Sequence, residues 1–283
     1  MKKILLISLI VFITIGCGGT ASLSPPTPTA QVVEEPATQL LDSSNECGGK
    51  EYNPKTQFCD FRDKKLYKFV TIGKQIWMAE NLNYAVEGSK CGGVIPKTVE
   101  DCYKEECEKV TLYSLEDENT ENCNIYGRLY NWATAMKLDT VCNSISCVSH
   151  ISAKHKGICP NDWHLPDKDE WDTLVTAVGG NAIAGTKLKA KSGWGWSEWG
   201  NIYGNGTDDY GFSALPGGFG IHSGWFLEVG ISGAWWNANE DHSPLSPIAY
   251  YRSMESLEHW SIGRSSGHKS ILKSIRCVKD SAH

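Results

Sequence analysis

Nine residues with the sequence WHLPDKDEW, positions 163–171, combine groups that can transfer protons or bind metals. An imidazole, His164, stands beside three acids, and this is the combination used in general acid–base catalysis and in metal ligation. The same spacing also fits a structural role. Asp167 and Glu170 match a capping box, in which an N-cap residue is followed three positions later by Glu. This pattern predicts that a helix begins after Asp167 and that His164 is a structural residue.

The apolar spacing predicts the elements around this stretch. Two helices are indicated by apolar residues at i, i+3, i+4 and i+7. These stripes are Tyr126, Leu129, Tyr130 and Ala133, and then Trp171, Leu174, Val175 and Val178. Alternation over residues 67–78 predicts a hairpin that turns at Gly73–Lys74. SGAWWNAN, SPIAYYRSM and KSIRCVKD are predicted to be short strands, so the domain is expected to be α+β with an antiparallel sheet and long loops.

The composition narrows the class of protein. The chain has 283 residues, of which 41% are hydrophobic, so it can bury a sizeable core. Its formal net charge of −6 argues against nonspecific nucleic-acid binding, which depends on Lys and Arg neutralising phosphates. The 28 glycines and 11 tryptophans predict a loop-rich fold with aromatic anchors.

The first residues read MKKILLISLIVFITIGCGG. Two lysines precede an apolar run that is too short for a membrane span and is typical of a secretory signal. TIGC resembles a bacterial lipobox, which implies cleavage after residue 16, acylation of Cys17, and display at the outer membrane or cell surface. The alternative is an ordinary signal peptide with an incidental cysteine. Residues 17–44 are rich in Pro, Thr and Ser and are predicted to be a tether.

Ten cysteines remain if Cys17 is acylated, and an even number in an exported chain indicates disulfides. The spacing alone does not determine the connectivity. Local pairs fit the spacing at Cys47–Cys59, Cys102–Cys107 and Cys142–Cys147, and Cys159 with Cys277 would tie the middle of the domain to its last strand. Cys47 and Cys59 would close a small module over residues 45–63, followed by the main domain over residues 64–283. Zinc is disfavoured because no C-x-x-C occurs.

Other residues that could bind a metal or a ligand also fit purely structural roles. Asp208 and Asp209 could ligate calcium, or they could close a turn by accepting from backbone N–H groups, which we favour. Among the exposed-looking tryptophans, Trp194 and Trp196 are interpreted as plugs in the loops, and Trp260 as a binding residue. H-E-x-x-H and G-x-x-x-x-G-K-[ST] do not occur in the sequence. G-x-S-x-G occurs once, as GRSSG at residues 263–267, where no helix is predicted to follow as a nucleophile elbow requires. The sequence therefore predicts no catalytic residue, no metal and no cofactor.

Eight motifs follow one another along the chain in this order: YKFVTIGKQIWMAENLNY, YGRLYNWATAM, GICPNDWHLPDKDEW, GTKLKAKSGW, GNGTDDYGFSALPGG, AWWNANE, AYYRSM and IRCVKD. This set resembles the Fibrobacter succinogenes major paralogous domain over about residues 65–280. The resemblance implies a C-type-lectin-like fold, in which two helices pack on a small twisted antiparallel sheet and long loops carry ligand binding. That fold is shared at a distance with formylglycine-generating enzymes and with variable proteins of diversity-generating retroelements.

In the retroelement-diversified relatives, the stretch that matches residues 251–271 displays the variable residues. By that resemblance, the candidate ligand contacts are Tyr251, Ser253, Glu255, Glu258, His259, Trp260 and Arg264. The expected function is non-catalytic: binding of a polysaccharide or protein ligand, or adhesion, at the cell surface, with a lipid anchor in the membrane and no nucleic-acid partner. The alternatives are a catalytic domain like that of formylglycine-generating enzymes, in which Cys277 would be a free thiol, and a purely structural envelope protein.

Overall fold

The computed structural model describes residues 46–93, 120–195, 204–221, 224–256 and 261–280. Within these ranges the protein combines a few short helices with several antiparallel sheets, as the α+β prediction requires. The helices are α1 (Thr120–Tyr126), α2 (Trp132–Met136), α3 (Lys168–Ala177) and α4 (Asn181–Leu188), with 3-10 turns at Thr140–Asn143 and Val148–His150. None of the helices in the described ranges has the length and apolar character needed to cross a bilayer.

Fourteen strands lie in the same ranges, and most are short. They are β1 (Glu46–Cys47), β2 (Lys50–Glu51), β3 (Gln57–Asp60), β4 (Lys65–Ile72), β5 (Gln75–Met78), β6 (Lys90–Cys91), β7 (Arg128–Leu129), β8 (Trp163–His164), β9 (Phe219–Gly220), β10 (Phe226–Leu227), β11 (Ser232–Glu240), β12 (Ile248–Glu255), β13 (Gly263–His268) and β14 (Val278–Lys279). One sheet has five strands in the order β3-β4-β5-β14-β8, and a second has three in the order β11-β12-β13.

The predicted hairpin is confirmed, because β4 pairs with β5 around the turn at Gly73–Lys74. Gly73 has a φ of +62°, a backbone conformation that glycine adopts without steric cost. The small module also joins this sheet. Its strand β3 pairs with β4 along four residues, from Gln57 opposite Lys68 to Asp60 opposite Lys65. The module thus extends the main sheet by one strand.

The predicted start of the second helix is also confirmed. Asp167 is the N-cap of α3, and its Oδ1 accepts from the backbone N–H groups of Asp169 at 2.9 Å and Glu170 at 2.8 Å. Glu170 Oε2 in turn accepts from the backbone N–H of Asp167 at 3.0 Å. A reciprocal cap of this kind stabilises a helix by about 1 kcal/mol. The helix ends before Gly179 and Gly180, both at positive φ, and is followed directly by α4, which the sequence did not predict.

The prediction of one continuous helix through Tyr126 and Ala133 is wrong. Gly127 has a φ of +76°, and a Cβ there would lie 2.8 Å from the Asn81 side chain and 2.9 Å from the Leu82 carbonyl oxygen. The chain therefore leaves α1 at Gly127, runs through β7 and enters α2 with Asn131 as its N-cap. The four residues of the stripe are all buried, as predicted, although they do not belong to one helix.

The strand predicted in SPIAYYRSM is confirmed, since β12 covers Ile248–Glu255. The stretch of residues 251–271, from which the candidate ligand contacts were taken, contains the end of β12 and all of β13 (Gly263–His268), so it contributes most of a hairpin. Residues 257–260 between the two strands lie outside the described residues. The strand prediction failed at GRSSGH because it contains none of the β-branched or aromatic residues that favour strands.

The two cores of the domain meet at β11. This strand is buried along almost its whole length, and its two tryptophans point in opposite directions because side chains alternate along a strand. Trp235 packs into one cluster with Trp77, Trp171 and Phe212. Trp236 packs into the other with Trp132, Trp163 and Tyr130. Trp163 also stacks on Phe58, with 4.5 Å between the ring centroids.

Four disulfides lie in the described residues: Cys47–Cys59, Cys91–Cys123, Cys142–Cys147 and Cys159–Cys277. Three of these pairs were named from the sequence. Cys91–Cys123 was not, because 32 positions separate the two residues and nothing in their spacing marks them as partners. The predicted pair Cys102–Cys107 lies outside the described residues.

The longest disulfide loop should contribute most to stability. Cys159 and Cys277 are 118 positions apart, whereas Cys142 and Cys147 are 5 apart. On chain-entropy grounds, replacing both cysteines by Ser should cost about 5 kcal/mol at Cys159–Cys277 and about 2 kcal/mol at Cys142–Cys147. Urea unfolding of the two double variants against wild type measures this difference. Equal losses for the two bridges would contradict the expectation.

Candidate ligand-binding cleft

The structure divides the predicted ligand contacts between two faces of one sheet. Tyr251, Ser253 and Glu255 alternate along β12 and share a face, whereas Arg264 on β13 is paired with Arg252 and lies on the opposite face. Glu258, His259 and Trp260 lie outside the described residues. The described members of the predicted set therefore do not share one face of the sheet, although Tyr251 and Arg264 both line the cleft described below.

The first face is packed rather than open. The ring of Tyr251 lies 5.8 Å from that of Trp236, and the ammonium group of the buried Lys273 lies 3.8 Å from its centroid. Glu255 Oε1 accepts from the Ser232 hydroxyl at 3.1 Å, and its backbone carbonyl accepts from Lys189. Burial lowers the pKa of Lys273 to about 7, although the nearby Glu228 and Glu255 charges oppose the shift. These contacts hold β12 against the core.

The opposite face opens into a cleft of about 610 Å³ between β11, the β12–β13 hairpin and the start of α3. We call it the sheet cleft. Its lining residues are Lys168, Asp172, Asn237, Asn239, Glu240, Asp241, His242, Tyr250, Tyr251, Arg252, Arg264, Ser265 and Ser266. Tyr250 is 41% exposed and forms the aromatic part of this surface. The cleft is thus polar and charged, with one accessible ring.

A β-bulge supplies one wall of the sheet cleft. Trp236 pairs with Tyr251 and Glu240 pairs with Ala249, so β11 has two more residues than β12 between these pairs. Bulges of this kind redirect side chains and are common beside binding sites. The start of α3 holds the bulge in place, because Asn239 Oδ1 accepts from the Lys168 backbone N–H at 2.7 Å.

Two arginines share one carboxylate at the centre of the cleft. Asp172 on α3 accepts from Arg252 and, at 2.9 Å, from Arg264. Arg252 is 2% exposed and Arg264 is 72% exposed, so the pair spans the depth of the site. Burial lowers the pKa of Arg252, and the neighbouring Arg264 charge adds to this effect, while Asp172 opposes it. The cluster carries one excess positive charge.

Two buried polar atoms in this cleft have no hydrogen-bond partner among the described residues. They are Oδ1 of Asn237, an acceptor, and Nε of Arg252, a donor. Both side chains are 2% exposed and line the sheet cleft. A buried polar group without a partner costs about 1–3 kcal/mol, so such groups are normally satisfied. The cleft therefore offers one donor and one acceptor that a molecule entering it, water included, can satisfy.

A buried ion pair closes one end of the cleft. Glu240 and Lys269 are fully buried and form a salt bridge, and Glu240 Oε1 also accepts from the Cys147 backbone N–H at 2.7 Å. The Lys269 ammonium group donates to the Ile145 carbonyl oxygen at 2.8 Å. The loop closed by Cys142–Cys147 is thereby attached to β11 at this end of the cleft.

The other sequence candidates have structural roles where they are described. Asp208 accepts from the Ser213 backbone N–H at 2.8 Å and from its hydroxyl at 2.6 Å, so it closes a turn. Trp194 is 2% exposed and donates to the Ala214 carbonyl oxygen at 2.9 Å. Trp196 and Trp260 lie outside the described residues. No group of three or more His, Cys, Asp or Glu side chains in the described ranges is arranged to hold a metal ion.

The deepest residues of the cleft were not among the predicted contacts. Asn237 stood inside the predicted strand SGAWWNAN, and Arg252 stood inside the predicted strand SPIAYYRSM. No alternation marks the face of Arg252, because Tyr251 and Ser253 on the other face are polar as well. The bulge at Asn237 leaves no signal in the sequence either, because it depends on the register between two strands.

One comparison with known proteins identifies a family for this chain. The family model for the Fibrobacter succinogenes major domain matches residues 70–279. The chain belongs to this family. No curated protein and no solved structure is significantly similar to the chain. The matched range of this Fibrobacter succinogenes major domain protein includes every residue that lines the sheet cleft.

His164, the first chemical candidate, is buried between two carboxylates. Its Nε2 lies 2.8 Å from Glu170 Oε1 and its Nδ1 lies 2.5 Å from Asp280 Oδ1. Burial alone would lower the pKa of His164, but hydrogen bonds to Glu170 and Asp280 outweigh it and raise the pKa above 6.5. The imidazolium therefore links the capping box of α3 to the residue that follows β14.

This raised pKa predicts a pH-dependent contribution to stability. Because the folded-state pKa exceeds the unfolded value of about 6.5, the contribution is complete below that value and is lost as pH rises through the folded pKa. The advantage of wild type over His164→Gln in the free energy of unfolding should be larger at about pH 6 than at about pH 9. Urea titrations at both pH values test this, with the surface variant His150→Gln as control. An advantage independent of pH would contradict it.

Proposed function

We propose that this protein is a non-catalytic, surface-displayed lipoprotein that binds a polysaccharide in the sheet cleft, and so serves adhesion or capture of that polymer. The observation that carries the proposal is the pair of unpartnered buried atoms, Asn237 Oδ1 and Arg252 Nε. A hydroxyl group both donates and accepts hydrogen bonds. The hydroxyls of a sugar can therefore supply both the donor that Asn237 requires and the acceptor that Arg252 requires.

The rest of the cleft supports a saccharide over a protein ligand. Asp172 and Arg264 add an acceptor and a set of donors at its accessible end. The ring of Tyr250 offers an apolar face with a polar tip, which suits the alternating C–H and O–H faces of a sugar. The positive and negative side chains that line the cleft nearly balance in number, which suits a ligand without net charge.

We further propose a C-type-lectin-like arrangement for the domain. The three-stranded sheet β11-β12-β13 lies beside α3, and long loops link the short elements of the domain. In that arrangement the ligand surface belongs to the later part of the domain, which is where the sheet cleft lies. The two helices of the expected fold would correspond to α2 and α3.

One disulfide argues against the enzymatic alternative. A domain like that of formylglycine-generating enzymes would need a reactive thiolate late in the chain, and only a free cysteine can supply one. Cys277 is fully buried and bonded to Cys159. The pairing of cysteines through the domain also supports export to an oxidising compartment.

Two substitutions in the cleft test the proposed function. Asn237→Ala and Tyr250→Ala should each weaken binding by about tenfold or more, a loss of about 1.4 kcal/mol. Because Asn237 Oδ1 has no protein partner, Asn237→Ala should not lower the unfolding midpoint. The full-length protein is first screened on a glycan array and whole cells, and its best polysaccharide is then titrated by calorimetry.

Trp225→Ala is the matched control, because this ring is 37% exposed and does not line the cleft. It should bind as wild type does. Cleft variants that keep wild-type affinity would overturn the assignment of the site. A wild-type protein that binds neither polysaccharides nor cells would overturn the proposed function and favour a purely structural envelope role.

The anchor is tested at Cys17, which lies outside the described residues. Cys17→Ser removes the thiol that acylation requires, so the protein should move from the membrane fraction to the soluble fraction. Cell fractionation with immunoblotting measures this redistribution. Persistence of the variant in the membrane fraction would refute a lipid anchor at this position.

A further inference from the structure

A second groove, of about 510 Å³, lies where the small disulfide-closed module meets the main sheet. Four lysines and one acid line it: Lys50, Lys64, Lys65, Lys68 and Glu80. The groove therefore carries three excess positive charges on a chain whose net charge is −6. We call it the lysine groove.

Most of this charge is not neutralised by the protein. Lys65 lies 3.4 Å from an Asp63 carboxylate oxygen and donates to the Asn83 carbonyl oxygen. Within the described part of the chain, Lys50, Lys64 and Lys68 have no carboxylate at ion-pair distance. Converging cations without counter-charges produce a local positive potential that attracts anions.

The fold brings these lysines together from separate elements. Lys50 is on β2, Lys68 is an exposed residue on β4, and Lys64 is in the turn between β3 and β4 with a φ of +59°. The bridge Cys47–Cys59 and the pairing of β3 with β4 hold these three elements in one place. The positive groove thus depends on the attachment of the module to the domain.

The lysine groove also holds an unpaired acceptor. Oδ1 of Asn83 is buried and has no hydrogen-bond partner in the part of the chain that the structure describes. Anionic groups alone cannot satisfy this atom, because it requires a donor. The partner should therefore present negative charges and hydroxyl or N–H donors close together.

We propose that the lysine groove binds an acidic polysaccharide whose sugar residues carry carboxylates. Each such residue supplies an anion for the lysines and hydroxyl donors for Asn83. Single-stranded nucleic acid fits less well, because its binding relies on accessible aromatic rings for stacking, and Tyr67, the aromatic residue in the lining, is 3% exposed. This site is separate from the sheet cleft and does not depend on the function proposed there.

The test titrates the full-length protein with oligogalacturonate, with a neutral cello-oligosaccharide as the uncharged comparison. Oligogalacturonate should bind, and its affinity should fall as salt is raised, because exposed charges are screened. The double variant Lys64→Glu/Lys68→Glu should bind about tenfold more weakly or worse, because two attractions become repulsions. Lys55→Glu/Lys74→Glu, a double reversal at exposed lysines outside the groove, should bind as wild type does.

Four outcomes would overturn the proposal. They are failure of wild type to bind oligogalacturonate, equal losses in the two double variants, equal binding of poly-L-glutamate, and tighter binding of single-stranded DNA. Thermal melting of each variant separates lost binding from lost folding. Asn237→Ala should leave oligogalacturonate binding unchanged, so failure here and failure of the sheet cleft can be told apart.

Discussion

A single buried amide, the side chain of Asn81, connects the parts of this domain. Its Oδ1 accepts from Trp235 Nε1 at 2.8 Å and from Arg276 Nε and Nη2 at 3.1 and 2.9 Å. Its Nδ2 donates to the Tyr126 carbonyl oxygen at 2.8 Å. Arg276 is fully buried, and this burial lowers its pKa to about 9, with only the more distant Glu80 and Asp208 charges opposing the shift. A guanidinium in such a place persists only because fixed oxygens satisfy it.

This constraint explains how the sheet cleft is positioned. Trp235 is held by Asn81, and Trp236 donates to the Tyr130 carbonyl oxygen at 2.9 Å, so both faces of β11 are anchored. Asn237 follows directly, at the start of the bulge. The side chain that we assign to ligand binding therefore sits on the most firmly held strand of the domain. A site built this way is preorganised, because little ordering remains to be done when a ligand binds.

Local patterns predicted the parts of the fold that local forces determine. The capping box at Asp167 and the hairpin turn at Gly73 depend on a few adjacent residues, and both were predicted. The single helix predicted from Tyr126 to Ala133 does not form. The same stripe of buried residues also arises when β7 and two short helices face one core. Only the approach of Asn81 and Leu82 to Gly127, between distant parts of the chain, decides between these structures. The sheet cleft also depends on contacts between distant parts of the chain. Arg264 was predicted from its segment, but Asn237 and Asp172 enter the site through strand register and helix packing.

The disulfides also determine how tension would pass through the domain. A pull on the chain before Cys47 enters β3 through Cys59, so the residues between them bear none of it. Arg62, three residues further on, donates to the Ile158 carbonyl oxygen at 2.7 Å. Ile158 adjoins Cys159, whose bridge reaches Cys277 beside β14. The load thus reaches β14, inside the five-stranded sheet, along a path of two covalent bridges and one guanidinium. β2 lies within the Cys47–Cys59 loop and is outside this path, and so are β11 and β12, the strands that carry the sheet cleft.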